Sequence, residues 1–128
     1  MLPWGKYKVL HKAEEYVVKE LYIYPGQRTS LQYHNFREEY WIVVHGEGIA
    51  TVGEKKIKIK KGDFVKVNRK EIHRVENVSK DDILVIVEVW IGDKLDEKDI
   101  VRLQDDYEHL RFPGMKAPIE DIEKKVVL

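Results

Sequence analysis

An all-β fold, a sandwich or a barrel, is predicted by three features of this sequence. Short runs rich in β-branched and aromatic residues recur along it, glycine-bearing turns separate them, and no long helical period interrupts them. At 128 residues the chain has the size of one domain. We read residues 1–128 as that single domain, with the barrel over about 15–92 and a C-terminal extension over 93–128.

The elements follow in order. Tyr7 and Val9 alternate with lysines and predict a short strand, followed by a polar stretch from His11 to Glu15. Tyr16 to Tyr24 is a strand by composition, closed by Pro25-Gly26, a pair suited to a type II turn. Thr29 to His34 and Tyr40 to His45 follow as strands, the second apolar on both faces. Its outward set, Tyr40, Ile42 and Val44, needs a cover, which points to the chain ends or to a second copy in a homodimer. Ile49 to Lys60 reads as a hairpin about Gly53-Glu54, whose Lys56, Lys58 and Lys60 alternate with Ile57 and Ile59 and mark a solvated face. Phe64 to Val67 and Ile72 to Val75 are short strands, and Ile83 to Ile91 is apolar on both faces, fit to lie beside Tyr40 to His45. Beyond Gly92, Asp96 is placed to cap a brief helical turn over Glu97 to Val101, and Pro118 to start a short amphipathic helix carrying Ile119, Ile122 and Val126.

Composition removes several classes of function. Lysine plus arginine and aspartate plus glutamate number 23 each, so there is no excess of positive charge for nucleic acid. No cysteine is present for disulfides or thiolate metal sites, and no apolar run reaches the roughly 18 residues of a membrane span. The N-terminus lacks a signal-peptide core, so a cytoplasmic location without membrane or nucleic-acid partners is expected. A charged fraction of 36%, mostly lysine and glutamate, agrees with a thermophilic origin.

The chemistry gathers between Gly26 and Gly46. Gln32 and His34 share a strand face, Glu39 returns after a short loop, and each offers an electron pair to a metal. Among His11, His45, His73 and His109, His73 is the best further ligand, because it follows the turn at Gly62 and opens another strand. Taken singly, each of these residues is ordinarily a hydrogen-bonded structural group; together they suggest a centre.

Gly26, Gln32, His34, Glu39 and Gly46 stand at spacings that resemble the first motif of the cupin superfamily, with glutamine in place of its first histidine. Gly62, Asn68, Lys70, His73 and Asn77 resemble the second, with asparagine and lysine where proline and glycine are usual. Closer wording comes from the isomerase domain of type II mannose-6-phosphate isomerases, a domain often fused to mannose-1-phosphate guanylyltransferase. The matching pieces are Pro3-Trp4-Gly5, Pro25-Gly26-Gln27-Arg28, Ser30-Leu31-Gln32-Tyr33-His34, Glu39 with Trp41-Ile42-Val43-Val44, His73-Arg74-Val75-Glu76-Asn77, and Asp99-Ile100-Val101-Arg102-Leu103 followed by Asp105-Asp106-Tyr107.

The resemblance implies a cupin jelly roll, a double-stranded β-helix, here with a short C-terminal helical segment. It implies Gln32, His34, Glu39 and His73 as ligands to one divalent metal, and zinc, manganese or iron all suit that donor set. It also implies an enzyme of carbohydrate metabolism that interconverts mannose 6-phosphate and fructose 6-phosphate, with a sugar phosphate as small-molecule partner. No general acid–base is singled out, an exchanging metal ligand, an inward lysine such as Lys19 and a bound water all being candidates; Arg28, which shares the parity of Ser30, Gln32 and His34, is a candidate for the substrate with Ser30 and Arg102, arginine suiting phosphate. Trp4 and Trp41 read as packing before sugar stacking, and Arg37 as either a phosphate contact or a salt-bridge residue. No nucleotidyltransferase segment precedes the barrel, so no guanylyltransferase activity is expected. Other metal cupin enzymes acting on a small sugar or acid, and a non-catalytic sugar-binding cupin, are the alternatives.

The sequence departs from the family pattern at Leu2, Asn35-Phe36 and Glu108-His109, and at Asn68 and Lys70. A lysine in the left-handed conformation of that turn costs roughly 1 kcal/mol.

Overall fold

The computed structural model describes residues 3–107. Among the described residues ten strands form two five-stranded antiparallel sheets: β1 (Gly5–Lys12), β2 (Tyr16–Ile23), β3 (Leu31–Tyr33), β4 (Arg37–His45), β5 (Glu47–Val52), β6 (Lys55–Lys60), β7 (Phe64–Val67), β8 (His73–Asn77), β9 (Leu84–Gly92) and β10 (Val101–Gln104). The first sheet runs β1-β2-β9-β4-β7 and the second β10-β3-β8-β5-β6. The all-β expectation holds, and the described residues contain no helix. The expected helix after Pro118 lies outside the described residues. The sheets take in β1 and β10, beyond the 15–92 assigned to the barrel.

The expected neighbours are neighbours: Tyr40 pairs with Val89 and Ile42 with Val87, which puts β4 beside β9. Glu97 to Val101 is not a helical turn. Asp96 does accept the Lys98 N–H at 2.9 Å, and a turn forms over Glu97 and Lys98. Val101 then opens β10, because pairing with Tyr33 in β3 satisfies its backbone where one isolated turn of helix would not.

Directly opposed residues of an antiparallel ladder share a face, so the register fixes the interior row by row. In the first sheet Val43 and Leu21 flank Ile86, and Leu84 stands opposite Ile23. These join Trp4, Trp41, Ala50, Ile59, Val65, Val67 and Val75 in one apolar core. Each such buried aliphatic side chain contributes roughly 1.5–3 kcal/mol relative to exposure. Toward the other end of the same strands the interior turns polar: Trp41 and Lys19 flank Glu88, and Glu39 and Val17 flank Trp90. Arg37 ends this progression opposite Gly92, where a Cβ would lie 2.1 Å from the Phe36 carbonyl oxygen, so only glycine fits.

Among the described residues no helix is long and apolar enough to cross a membrane.

Candidate metal centre

Four residues meet between the sheets at the polar end. Gln32 pairs with His73 across β3 and β8, so both project from the second sheet to the same side, and His34 follows β3 directly. Glu39 does not arrive from a neighbouring strand of that sheet. It belongs to β4 of the first sheet and reaches across the barrel. Gln32, Glu39 and His73 are inaccessible to solvent and His34 nearly so. The ligand atoms of His34, Glu39 and His73 all lie within 4.8 Å of one another.

The hydrogen bonds fix how the imidazoles are presented. His34 Nδ1–H donates to the Asp99 carbonyl at 2.6 Å and His73 Nδ1–H to the Glu71 carbonyl at 2.9 Å. Each ring therefore turns a lone pair at Nε2 inward. His34 Nε2 lies 3.0 Å from Glu39 Oε2, and His73 Nε2 lies 3.7 Å from Glu39 Oε1. Lone pairs facing one another this closely in a dry interior call for a cation between them. Gln32 donates to the Ser30 carbonyl at 3.4 Å, while its Oε1 and His73 Nε2 are buried with no hydrogen-bond partner. Two imidazole nitrogens, a carboxylate and an amide oxygen fit a borderline or hard divalent ion.

Arg37, read from sequence as a loop residue with two possible roles, is the first residue of β4 and fully buried. Its Nε donates to Glu39 Oε2 at 2.9 Å, Nη2 donates to His34 Nε2 at 3.2 Å, and the guanidinium stacks 3.4 Å from the Trp90 ring centre. Trp41 Nε1–H donates to Glu39 Oε1 at 3.0 Å, so both carboxylate oxygens are held. Burial works against ionisation of Glu39, yet its charged and hydrogen-bonding surroundings, the Arg37 guanidinium among them, outweigh it and keep the carboxyl far below the usual range. Burial pushes His73 down to about 4, Glu39 opposing the shift, so its imidazole is the neutral, ligating form at neutral pH.

Lys19 is inaccessible to solvent, as an inward lysine should be. Its ammonium donates to Glu97 at 3.1 Å and sits over the rings of Trp90 and Tyr7, at 4.0 and 4.4 Å. Glu88, opposite Lys19, accepts from Trp90 Nε1 and is equally buried; burial first, then Glu39, raises its carboxyl well above the ordinary value. Ser30 is buried with an unpartnered hydroxyl, and Arg102 stands opposite Gln32 in the β10–β3 ladder, on the Gln32 side.

Arg28 is not brought to the centre. It bridges to Glu76, donates to Asp106 at 2.6 and 2.9 Å and to Glu76 at 3.2 Å, and lies on the outer surface. Parity counted back from Gln32 fails because Thr29 is tied to Val75 through both its N–H and its hydroxyl, which displaces the chain before β3. His45 pairs with Asp82 at the surface, and Trp4 and Trp41 are core residues, as expected. Sequence reasoning passed over Glu88, and gave Arg37 and Asp99 no place at the centre. A glutamate inside the otherwise apolar run from Ile83 to Ile91 was the available signal for one of them.

Comparison with known proteins gives the context. Residues 1–105 match the family described as mannose-6-phosphate isomerase C-terminal. The mannose-1-phosphate guanylyltransferase of Salmonella muenchen is 34% identical over 102 residues, covering 80% of this chain and 21% of that protein. The alginate biosynthesis protein AlgA of Pseudomonas aeruginosa is 35% identical over 115 residues, covering 90% and 24%. The chain thus spans about a quarter or less of the length of these curated relatives. A Klebsiella pneumoniae protein with a double-stranded β-helix domain superimposes with a TM-score of 0.70 at 18% identity, covering 80% of this chain and 87% of that one, which establishes the fold. These findings correct two expectations. Relatives at this identity are named as guanylyltransferases, not as isomerases, so the assignment of mannose 6-phosphate isomerisation and the exclusion of guanylyltransferase activity both fall. What these proteins share with this chain is the C-terminal cupin domain.

Proposed function

We propose, for a chain that belongs to the mannose-6-phosphate isomerase C-terminal family, a metal-holding cupin domain that binds mannose 1-phosphate in support of guanylyl transfer. Gln32, His34, Glu39 and His73 would hold one divalent ion. That ion supplies Lewis acidity, an attraction for sugar oxygens that a neutral pocket lacks. Arg37 and Trp41 hold the Glu39 carboxylate in place, Asp99 and Glu71 fix the imidazole tautomers, and Ser30 and Arg102 border the ligand.

The observation that carries the reading is the pair of inward Nε2 lone pairs converging on one buried carboxylate. Calorimetric titration of mannose 1-phosphate into manganese-loaded and metal-stripped protein tests it. At least about tenfold tighter binding to the loaded form is expected, together with metal-dependent formation of GDP-mannose from GTP when the nucleotidyltransferase partner is supplied. Equal affinity in both forms contradicts the reading.

We also propose a second copy of the chain against the outer face of the first sheet, where Ile42 and its cross-strand partner Phe64 are exposed, with Val44 and Ile91 exposed further along the same sheet.

A further inference from the structure

The connection from β9 to β10 crosses the polar end of the barrel, and two of its tethers land on the buried side chains of His34 and Lys19. Asp99 takes His34 Nδ1–H on its carbonyl and the backbone N–H groups of Asn35 and Phe36 on its carboxylate, at 2.9 Å each. The third tether differs in kind. Lys19 has a side chain with no solvent exposure, whereas its partner Glu97 is 40% exposed, so the carboxylate reaches inward from solvent to a buried ammonium. Outside this contact lies a hollow of about 500 Å³ lined by Lys12, Lys94, Leu95, Asp96 and Glu97. The lining carries the exposed Lys12 and Lys94, and Glu97 joins it to the buried Lys19, which lies behind that carboxylate and outside the lining. The Asp96 carboxylate is turned to the Lys98 N–H.

We propose that this hollow is a phosphomonoester subsite and that Glu97 is its resident plug, a carboxylate standing where the anionic group of a ligand is received. The subsite deepens the reading of a mannose 1-phosphate domain by naming the group that meets the phosphate, and it rests on that reading only for the identity of the sugar. The buried ammonium behind Glu97 suits an anion of any kind. A buried ammonium flanked by Tyr7 and Trp90 requires a negative partner, and with Glu97 displaced an incoming phosphate supplies one, with charge to spare for Lys12 and Lys94. The exchange is carboxylate for phosphate on the same ammonium; no bond is made or broken. The plug also explains why a lysine this deep sits beside a connection segment open to water, where a purely structural pair would be sealed on both sides.

The test uses the full chain in chelated buffer, so that its outcome is separate from that of the metal centre, with inorganic phosphate and mannose 1-phosphate as probes in calorimetry. Glu97→Gln is expected to bind inorganic phosphate at least about tenfold more tightly than the parent, and Lys19→Met added to it to return affinity to the parent level. Lys12→Ala with Lys94→Ala keeps the Lys19–Glu97 contact and alters only exposed residues; it is expected to weaken mannose 1-phosphate binding about threefold or more. An unimproved Glu97→Gln, a double variant that retains the gain, or an unchanged rim variant overturns the proposal. Absence of metal-dependent mannose 1-phosphate binding by the manganese-loaded parent chain, with the Glu97→Gln gain intact in chelated buffer, would overturn the metal-centre reading and leave the subsite standing.

Discussion

His34 Nε2 and Glu39 Oε2 lie 3.0 Å apart although they come from opposite sheets, and the atoms meet as two acceptors. The donor that shares the contact is Arg37, which reaches both. In metal-stripped protein the guanidinium is therefore the cation that holds the two sides of the pocket together. Arg37→Ala is expected to destabilise the stripped chain by about 3–5 kcal/mol, because it leaves a buried carboxylate facing a lone pair. Lysine is not expected to restore stability, since a point charge cannot reproduce a guanidinium that bonds two groups while stacked on Trp90. Urea unfolding of the three proteins measures this; equal midpoints would show that Arg37 is not part of the support.

Acid should weaken the stripped fold in a defined window. His73 titrates near 4 when folded and near the ordinary 6.5 when unfolded. Between those values the unfolded chain binds the extra proton, so stability falls as pH drops from about 6.5 toward 4 and levels off below it. At about 1.4 kcal/mol per pH unit the loss is on the order of 3 kcal/mol. Glu39, held far below the usual carboxylate range, adds a loss of the same sign below about pH 4.5. Urea midpoints from pH 7.5 to 4 should decline, and His73→Phe should flatten the upper part of that decline.

Lys70 has φ of 64°, the left-handed conformation, in the turn between β7 and β8. Its N–H donates to the His34 carbonyl at 2.7 Å, which ties this turn to the chain beside the metal centre. Lys70→Gly removes the Cβ strain and keeps the bond, and is expected to stabilise by roughly 0.5–1 kcal/mol. A rise in Tm of a few degrees would confirm it, and a fall would show that the lysine side chain contributes more than its strain costs.

The exposed Ile42, Val44, Phe64 and Ile91 predict self-association through the outer face of the first sheet. Ile42→Glu should convert a dimer to a monomer in light-scattering chromatography without changing metal content. A monomeric parent protein would remove the second copy from that face.

Much of this was legible in the sequence, for identifiable reasons. Alternation located β6 and runs of β-branched and aromatic residues located β2, β4 and β9, while the motif spacings singled out His34, Glu39 and His73, which the fold brings within 4.8 Å of one another, and Gln32, which pairs with His73. β10 was not legible. Its four residues gain strand structure only by pairing with β3, some seventy positions earlier, and local signals at Asp96 favoured a turn. Arg28 was misplaced because alternation assumes an unbroken strand, and Thr29 breaks it. Glu88 was passed over because a charge in a strand usually marks the solvated face, and the inward place of Arg37 was missed because it was read in the loop before Glu39; Glu88 accepts from Trp90, and Arg37 donates to Glu39 and His34.

Metal content by mass spectrometry, after equilibration with manganese or zinc and removal of free ion, tests the central claim most directly. One ion per chain is expected for the parent, and His34→Ala and His73→Ala are each expected to lower affinity at least about 100-fold while keeping the parent far-ultraviolet dichroism. A parent chain that retains no ion, or a folded His73→Ala chain that retains one at unchanged affinity, would contradict it.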